Sequence, residues 1–121
     1  MFNKKQFNGK TGEDAAAVYL EKAGYRILAR NFRIRGGEVD IVAIDQDALV
    51  FIEVKTRSSS QFGTPLEAIT PWKLKALIKT AQFYKQMHKN LPELMRIDAV
   101  CVNLDNDRSI LTIELVKNIS S

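Results

Sequence analysis

The sequence predicts an α/β domain with a mixed central sheet flanked by helices, its elements in the order α-β-β-β-α-β-β. Between two helical segments lie three strand-like stretches, joined by the short turns at 35–37 and 45–47. Tight turns between consecutive strands predict an antiparallel meander. The fourth strand follows the second helix, so a crossover connection is expected to bring it into the same sheet.

The first helix is predicted from Thr11, a suitable N-cap, to Gly24, a suitable residue to end it. Glu13 falls in the predicted first turn, where the helix dipole favours anions. It shares one helical stripe with Ala16, Ala17 and Leu20. Its carboxylate is therefore expected to face inward, where it either caps the helix or reaches a metal centre. Gly12 would let the backbone come close to a ligand.

The remaining elements follow from β propensity, turn residues and helix signals. Strands are predicted over 25–34, 38–44, 48–56, 96–104 and 109–116. The second helix is predicted from Pro71, which suits a first helical position, to about Lys89, with His88 as a C-terminal cap. The side chains expected to face the core are Trp72, Leu74, Leu77, Ile78, Ala81 and Tyr84.

Length and composition restrict the classes of function. The 121 residues predict one domain over 1–121, with a flexible N-terminus over 1–8. No apolar run approaches the roughly 18 residues of a membrane helix, and the N-terminus lacks the apolar centre of a signal peptide, so a cytoplasmic protein is expected. With one His and with Cys101 expected to be a buried strand residue, zinc sites and Ser-His-Asp catalysis lack their residues. The net charge of +4 mildly favours a polyanionic partner.

Charged residues follow an apolar segment at the end of the third strand. Leu49 to Ile52 predict a buried strand, yet Glu53 and Lys55 come next without a turn, pointing to one face about 7 Å apart. Asp40 is also flanked by apolar residues, on the second strand. Alternation places it on the face of Val42 and Ile44. An approximate hairpin register sets Asp40 opposite Ile52, and a bulge or a different turn length would bring it onto the face of Glu53.

Two carboxylates close together on partly buried strands repel each other and lose hydration. Such a pair persists where a cation neutralises it, and a divalent metal and Lys55 are the two candidates. Mg²⁺ favours one or two carboxylates with waters and phosphate oxygens, and a neighbouring lysine can orient a water or stabilise developing charge. These are the components of metal-assisted phosphodiester hydrolysis.

The order of these residues resembles the PD-(D/E)XK nuclease superfamily. Asp40, then Glu53-Val54-Lys55, with Glu13 on a preceding helix, is most similar to its Holliday-junction-resolvase-like branch. The segments "GEDAAAVYLEKAGYRILARNFRIRGGEVDIVAID" and "LVFIEVKTRSSSQFGTPLEAI" resemble the YraN-like family of small bacterial proteins, over about residues 9–103. The proline that names the motif is absent, and so is the Gln-x-x-x-Tyr motif of exonuclease-like branches.

The resemblance implies a restriction-endonuclease-like three-layer core with its site on the second and third strands. Carried over by position, Asp40, Glu53 and the backbone carbonyl of Val54 would hold Mg²⁺ or Mn²⁺. Lys55 would be the catalytic lysine, acting with Asp40 and Glu53, and Glu13 an additional catalytic acid. The implied activity is metal-dependent endonuclease cleavage of nucleic acid, with DNA favoured over RNA and branched or repair intermediates as candidate substrates.

Contacts with the nucleic acid are expected from Arg35, Arg57, Lys75 and Lys79. The two lysines form a stripe with Gln82 and Gln86. This stripe is either a row of side chains that contacts nucleic-acid phosphates or a solvated helix face.

Other readings remain open. One is a nucleic-acid-binding or partner-binding module that keeps the nuclease fold without turnover, and another is a purely structural protein. The small size also favours a homodimer that divides the binding surface between subunits. For Asp98, a structural pair with Arg96 or with a residue of a neighbouring strand is expected rather than a metal site.

Overall fold

A five-stranded mixed sheet flanked by two helices forms the computed structural model, which describes residues 9–58, 67 and 69–120. The elements are α1 (Gly9–Lys22), β1 (Arg26–Ile34), β2 (Gly37–Asp45), β3 (Ala48–Ser58), α2 (Pro71–Met87), β4 (Leu94–Leu104) and β5 (Ile110–Val116). The predicted flexible N-terminus and most of the loop after β3 lie outside the described residues. Within the described ranges, no helix is both long and apolar enough to cross a membrane.

The strands lie side by side in chain order, β1-β2-β3-β4-β5. The pairs β1–β2, β2–β3 and β4–β5 are antiparallel, whereas β3 and β4 are parallel. The helix α2 makes the crossover that parallel neighbours require. The predicted element order, mixed sheet and restriction-endonuclease-like core are confirmed.

Each face of the sheet packs against one helix. On the α1 face, Val50 and Ile52 of β3 join a cluster that includes Leu20, and on the α2 face Leu49 and Phe51 join one with Leu77 and Tyr84. All four β3 side chains are fully buried. At ~1.5–3 kcal/mol for each buried aliphatic or aromatic side chain, this burial holds β3 firmly up to the point where its charged residues begin.

The helix α1 begins at Gly9, so the predicted start at Thr11 is wrong and Glu13 lies in the second turn. A cap residue contributes only about 1 kcal/mol, which continued helix formation can outweigh. The predicted end is confirmed. Gly24 has a φ of 96°, and the amide of Tyr25 donates to the carbonyl of Leu20 at 2.9 Å, as in a Schellman cap.

Gly12 allows α1 to approach β3 closely. A Cβ at this position would lie 2.0 Å from Oγ1 of Thr56. Gly12 therefore allows close contact between the helix and the strand. The sequence had predicted instead that it would allow a ligand to approach the backbone. This contact holds the second turn of α1, with Glu13, against the charged end of β3.

Capping at both ends defines α2. Oγ1 of Thr70 accepts a hydrogen bond from the amide of Lys73 at 3.3 Å, and Pro71 begins the helix. At the other end the amide of His88 donates to the carbonyl of Tyr84 at 3.2 Å, which confirms His88 as the cap.

The inward placement of Trp72 is wrong, because its side chain is 75% exposed. It precedes Leu74 by two positions, which at ~3.6 residues per turn puts the two on opposite sides of the helix. The other predicted core positions of α2 are buried or partly buried: Leu74, Leu77, Ile78, Ala81 and Tyr84.

A buried polar network joins Arg96 and Asp98 of β4 to Asp45 at the end of β2 and to Tyr25 before β1. Arg96 donates to both carboxylate oxygens of Asp98, at 2.9 and 3.0 Å, and to Asp45 at 2.7 Å. The hydroxyl of Tyr25 donates to Asp98 at 2.8 Å, and Asp98 has no exposed surface. The predicted structural pair of Arg96 and Asp98 is confirmed, and Cys101 is buried as expected.

Candidate active site

The turn between β2 and β3 sets the positions of the two candidate acids. Asp45 pairs with Ala48 and Ile41 with Ile52, so only two residues form the turn. The predicted register is wrong by one residue because it assumed a three-residue turn. Gln46, one of the two turn residues, has a φ of 55°, the left-handed conformation that such a short turn requires. Continued by one pair, the observed register places Asp40 opposite Glu53.

Asp40 contacts β3 through its side chain. Its Oδ2 accepts a hydrogen bond from the backbone amide of Val54 at 2.8 Å. The backbone pairing of the described strands extends to Ile41 and Ile52, so beyond that pair a carboxylate takes the place of a carbonyl acceptor. The Asp40 carboxylate is thereby fixed at the point where the ladder ends.

Strict alternation along β2 stops at Asp40. Val39 packs with the α2-side cluster, as Val42 does. Regular alternation would place these two residues, three positions apart, on opposite faces. Asp40 lines a cleft with Glu13 of α1. Regular alternation therefore does not extend from Val42 to Asp40, since local strand geometry changes where pairing with β3 ends.

A cleft of about 630 Å³ opens beside Asp40 on the α1 side of the sheet. Oε1 of Glu13 accepts hydrogen bonds there from Nε of Arg30 and Nδ2 of Asn31, both at 3.0 Å. Glu13 is only 9% exposed, so its predicted inward orientation is confirmed. Arg30 neutralises this carboxylate, which lines the same cleft as Asp40 and Val54.

Glu53 lies between two lysines. Its Oε1 is 2.8 Å from Nζ of Lys73 and 3.8 Å from Nζ of Lys55, and the residue is 5% exposed. Lys73 comes from the first turn of α2, so the crossover helix contributes a cation to the end of β3. A nearly buried carboxylate thus has its compensating charge supplied by the protein itself.

The surroundings perturb three ionisable groups. Burial, followed by the charge of Glu53, raises the pKa of Asp40 to about 6. Contact with Lys73, together with burial, lowers the pKa of Lys55. Burial opposes the change at Lys73, but the hydrogen bond to Glu53 raises its pKa above the usual lysine value. The two lysines are therefore unequal, and Lys55 releases its proton more readily.

Comparison with known proteins assigns this chain to a family. The protein-family model described as "Uncharacterised protein family UPF0102" matches residues 12–102. The chain belongs to the UPF0102 family. The UPF0102 protein of Caldicellulosiruptor saccharolyticus is 44% identical over 116 residues, covering 96% of this chain and 98% of its own. That of Syntrophus aciditrophicus is 46% identical over 110 residues, covering 91% and 85%.

UPF0102 membership confirms the YraN-like resemblance. The matched range of the UPF0102 model contains Glu13, Asp40, Glu53, Lys55 and Lys73, and it ends at residue 102 within β4. The whole candidate site therefore belongs to the part of the chain that defines the family.

Lys73 is the site residue that the sequence reading of this UPF0102 chain missed. It is one of several lysines on α2, and nothing in its immediate sequence marks it as inward. Its position three residues after the N-cap Thr70 is the one usable signal, because the start of a crossover helix lies near the end of the preceding parallel strand.

The predicted nucleic-acid contacts lie on several elements. Arg57 donates to Oδ1 of Asn103 on β4 at 3.1 Å. Arg35 is exposed at the turn before β2, and Lys75 and Lys79 are exposed on α2. The roles of these four residues, and of the Val54 carbonyl, stay predictions.

Proposed function

We propose that this UPF0102 protein is a metal-dependent nuclease that hydrolyses phosphodiester bonds of DNA. The observation that carries the proposal is the pair formed by Asp40 and Glu53. Burial and mutual repulsion raise the pKa of Asp40 to about 6, yet the amide of Val54 fixes its carboxylate in this unfavourable position. Acids held against such an electrostatic penalty are concentrated at functional sites.

The available donors suit Mg²⁺ or Mn²⁺. In the described residues, no three His, Cys, Asp or Glu side chains gather as a metal cluster. Asp40 and Glu53 nevertheless offer two carboxylates and Val54 a carbonyl, and Mg²⁺ commonly binds one or two carboxylates together with waters and phosphate oxygens. When bound, such an ion supplies positive charge against the phosphate. Glu13 is the additional acid, lining the same cleft as Asp40 and Val54.

The two lysines have different parts in this reaction. Lys55, with its lowered pKa, orients the attacking water and accepts its proton more readily than an ordinary lysine. Lys73 stays protonated, holds Glu53 in place and offsets negative charge that develops on the phosphate.

Metal affinity provides the first test. Isothermal titration with Mn²⁺ is expected to show binding that Asp40→Asn and Glu53→Gln each weaken by at least about tenfold. The matched control is Glu93→Gln, the same chemical change at an exposed acid. Equal Mn²⁺ affinity in all four proteins would contradict the assigned ligands.

Cleavage provides the second test. Single-stranded, duplex and branched DNA, and RNA, are incubated with Mg²⁺ or Mn²⁺. Lys55→Met is expected to lower the cleavage rate by roughly 10²–10⁴ while leaving Mn²⁺ affinity almost unchanged, and Lys89→Met, at an exposed lysine, serves as its control. Cleavage that continues unchanged in Asp40→Asn, Glu53→Gln and Lys55→Met would come from another site or from a contaminant.

A non-catalytic binding module is the second candidate. Nζ of Lys73 already neutralises Glu53 at 2.8 Å, which is an arrangement that a fold without metal can keep. This function predicts nucleic-acid binding with no Mn²⁺ affinity and no cleavage of any substrate.

A further inference from the structure

Trp72 is an exposed aromatic residue in the first turn of α2. Its side chain is 75% exposed, although tryptophan is among the side chains that gain most from burial. The next residue, Lys73, turns the other way and reaches Glu53 at 2.8 Å. The first turn of α2 therefore presents a large aromatic surface to solvent, one residue before the lysine that contacts Glu53.

The surface around Trp72 is concave and positively charged. A depression of about 520 Å³ is lined by Trp72, Lys75, Lys79 and Gln82, with Ala76 and Ile78 as apolar contacts. Neither lysine forms an ion pair with a described residue.

Glycines at the turn between β1 and β2 lie at the edge of this depression. Gly36 lines it, and a Cβ on Gly37 would lie 2.0 Å from Oγ1 of Thr80. The turn consequently packs against α2 without a side chain that could cover Trp72. The adjacent Arg35 is exposed and adds positive charge at this edge.

An aromatic face next to exposed ammonium groups matches the chemistry of a nucleic-acid strand. Bases stack on aromatic side chains, and lysines attract the phosphates between them. In a duplex both faces of each base are covered by neighbouring bases, so only an unpaired or terminal base can stack on a protein ring.

We propose that Trp72, flanked by Lys75 and Lys79, is a stacking platform for an unpaired base of the nucleic-acid substrate. This inference rests on the proposed nuclease function, and it names the substrate class as nucleic acid with a single-stranded segment.

A second copy of this chain is the competing occupant. In a twofold interface the same patch meets itself, which would bring Lys75 and Lys79 of one copy against the lysines of the other. Like charges opposed in this way are unfavourable. The charge of the depression therefore favours a polyanion over self-association.

The experiment uses Trp72 as its own reporter, because it is the single tryptophan of the chain. The full-length protein is titrated in EDTA, without metal or cleavage, with an oligothymidylate or with a blunt duplex. Single-stranded DNA is expected to quench the fluorescence strongly and the duplex weakly. Anisotropy of a labelled oligothymidylate should show affinity reduced roughly 5- to 150-fold in Trp72→Ala and largely kept in Trp72→Phe.

Two matched controls separate stacking from general effects. Leu111→Ala removes an exposed apolar side chain from β5 and should leave affinity unchanged. The slope of log affinity against log salt concentration reports the number of ions released on binding. Lys75→Gln and Lys79→Gln should each lower this number by about one, whereas Lys22→Gln, at an exposed position on α1, should not change it.

The possible failures are distinct. Equal affinity of Trp72→Ala and the unaltered protein overturns the platform even where Lys55→Met abolishes cleavage, in which case the nuclease proposal stands alone. Loss of single-strand affinity in Trp72→Ala without any cleavage supports the platform and removes the nuclease. A tryptophan emission that shifts with protein concentration in the absence of DNA, with a dimer in sedimentation, assigns the surface to a second copy and overturns the proposal.

Discussion

Asp40→Asn is expected to stabilise the metal-free protein at neutral pH. Burial and the charge of Glu53 raise the pKa of Asp40 from the ordinary 3.8 to about 6, so its ionised form is disfavoured in the folded state. Asparagine keeps the shape and an oxygen that can accept from the Val54 amide, but it carries no charge. Natural sequences commonly accept such a loss of stability at functional positions.

The size of the effect follows from the pKa of Asp40. A change from 3.8 to about 6 corresponds to about 3 kcal/mol, at ~1.4 kcal/mol for each pKa unit. This is an upper bound, since an amide oxygen accepts less strongly than a carboxylate, and we expect ~1–3 kcal/mol. Because the folded pKa is the higher one, protonated Asp40 contributes stability below about pH 4 that is lost as pH rises through about 6. The advantage of Asp40→Asn therefore grows across this window.

Urea unfolding followed by circular dichroism, in EDTA from about pH 4 to pH 8, measures this difference. The matched control is Asp45→Asn, at the C-terminal end of β2. There the hydrogen bond from Arg96 lowers the pKa of the carboxyl, so losing the charge is expected to destabilise the protein at neutral pH. The same substitution at these two positions of one strand should thus change stability in opposite directions.

The refuting result is Asp40→Asn with stability equal to or below that of the unaltered protein at neutral pH. A gain that is the same at about pH 4 and about pH 8 would also refute the electrostatic cause. Added Mn²⁺ should stabilise the proteins that retain Asp40 more than it stabilises Asp40→Asn, because a ligand stabilises the state that binds it.

Three further predictions concern the supports of the site. Gly12→Ala should lower the free energy of unfolding by ~1–3 kcal/mol, because its Cβ would lie 2.0 Å from Oγ1 of Thr56. Adding Thr56→Ala should recover part of this loss in urea titrations, and a double variant with additive effects would disprove the contact. Tyr25→Phe removes a hydrogen-bond donor to fully buried Asp98 and should lower the free energy of unfolding by ~1–3 kcal/mol. An unchanged midpoint of thermal unfolding would contradict this hydrogen bond. Thr70→Ala should cost about 1 kcal/mol, whereas Thr70→Ser should retain the cap; equal unfolding midpoints for the two variants would argue against it.

Local periodicity made much of the candidate site predictable. The alternation in β3 predicted that Glu53 and Lys55 point to one face, and Oε1 and Nζ of the two residues lie 3.8 Å apart. The helical stripe of α1 predicted the inward orientation of Glu13. The pairing of Arg96 with Asp98 followed from their two-residue spacing on one strand. These inferences succeeded because each depends on the geometry of a single element, which neighbouring residues define.

The order of elements, the mixed sheet and the concentration of acids near the end of β3 were thus determined by the sequence alone. Tertiary structure decided the register, since a turn shorter by one residue moves Asp40 opposite Glu53 with almost no change in the hydrophobic pattern. It also decided which lysine of α2 reaches Glu53 and left Trp72 exposed. Helix rotation and crossover geometry control these contacts, and both are set by packing across the whole sheet.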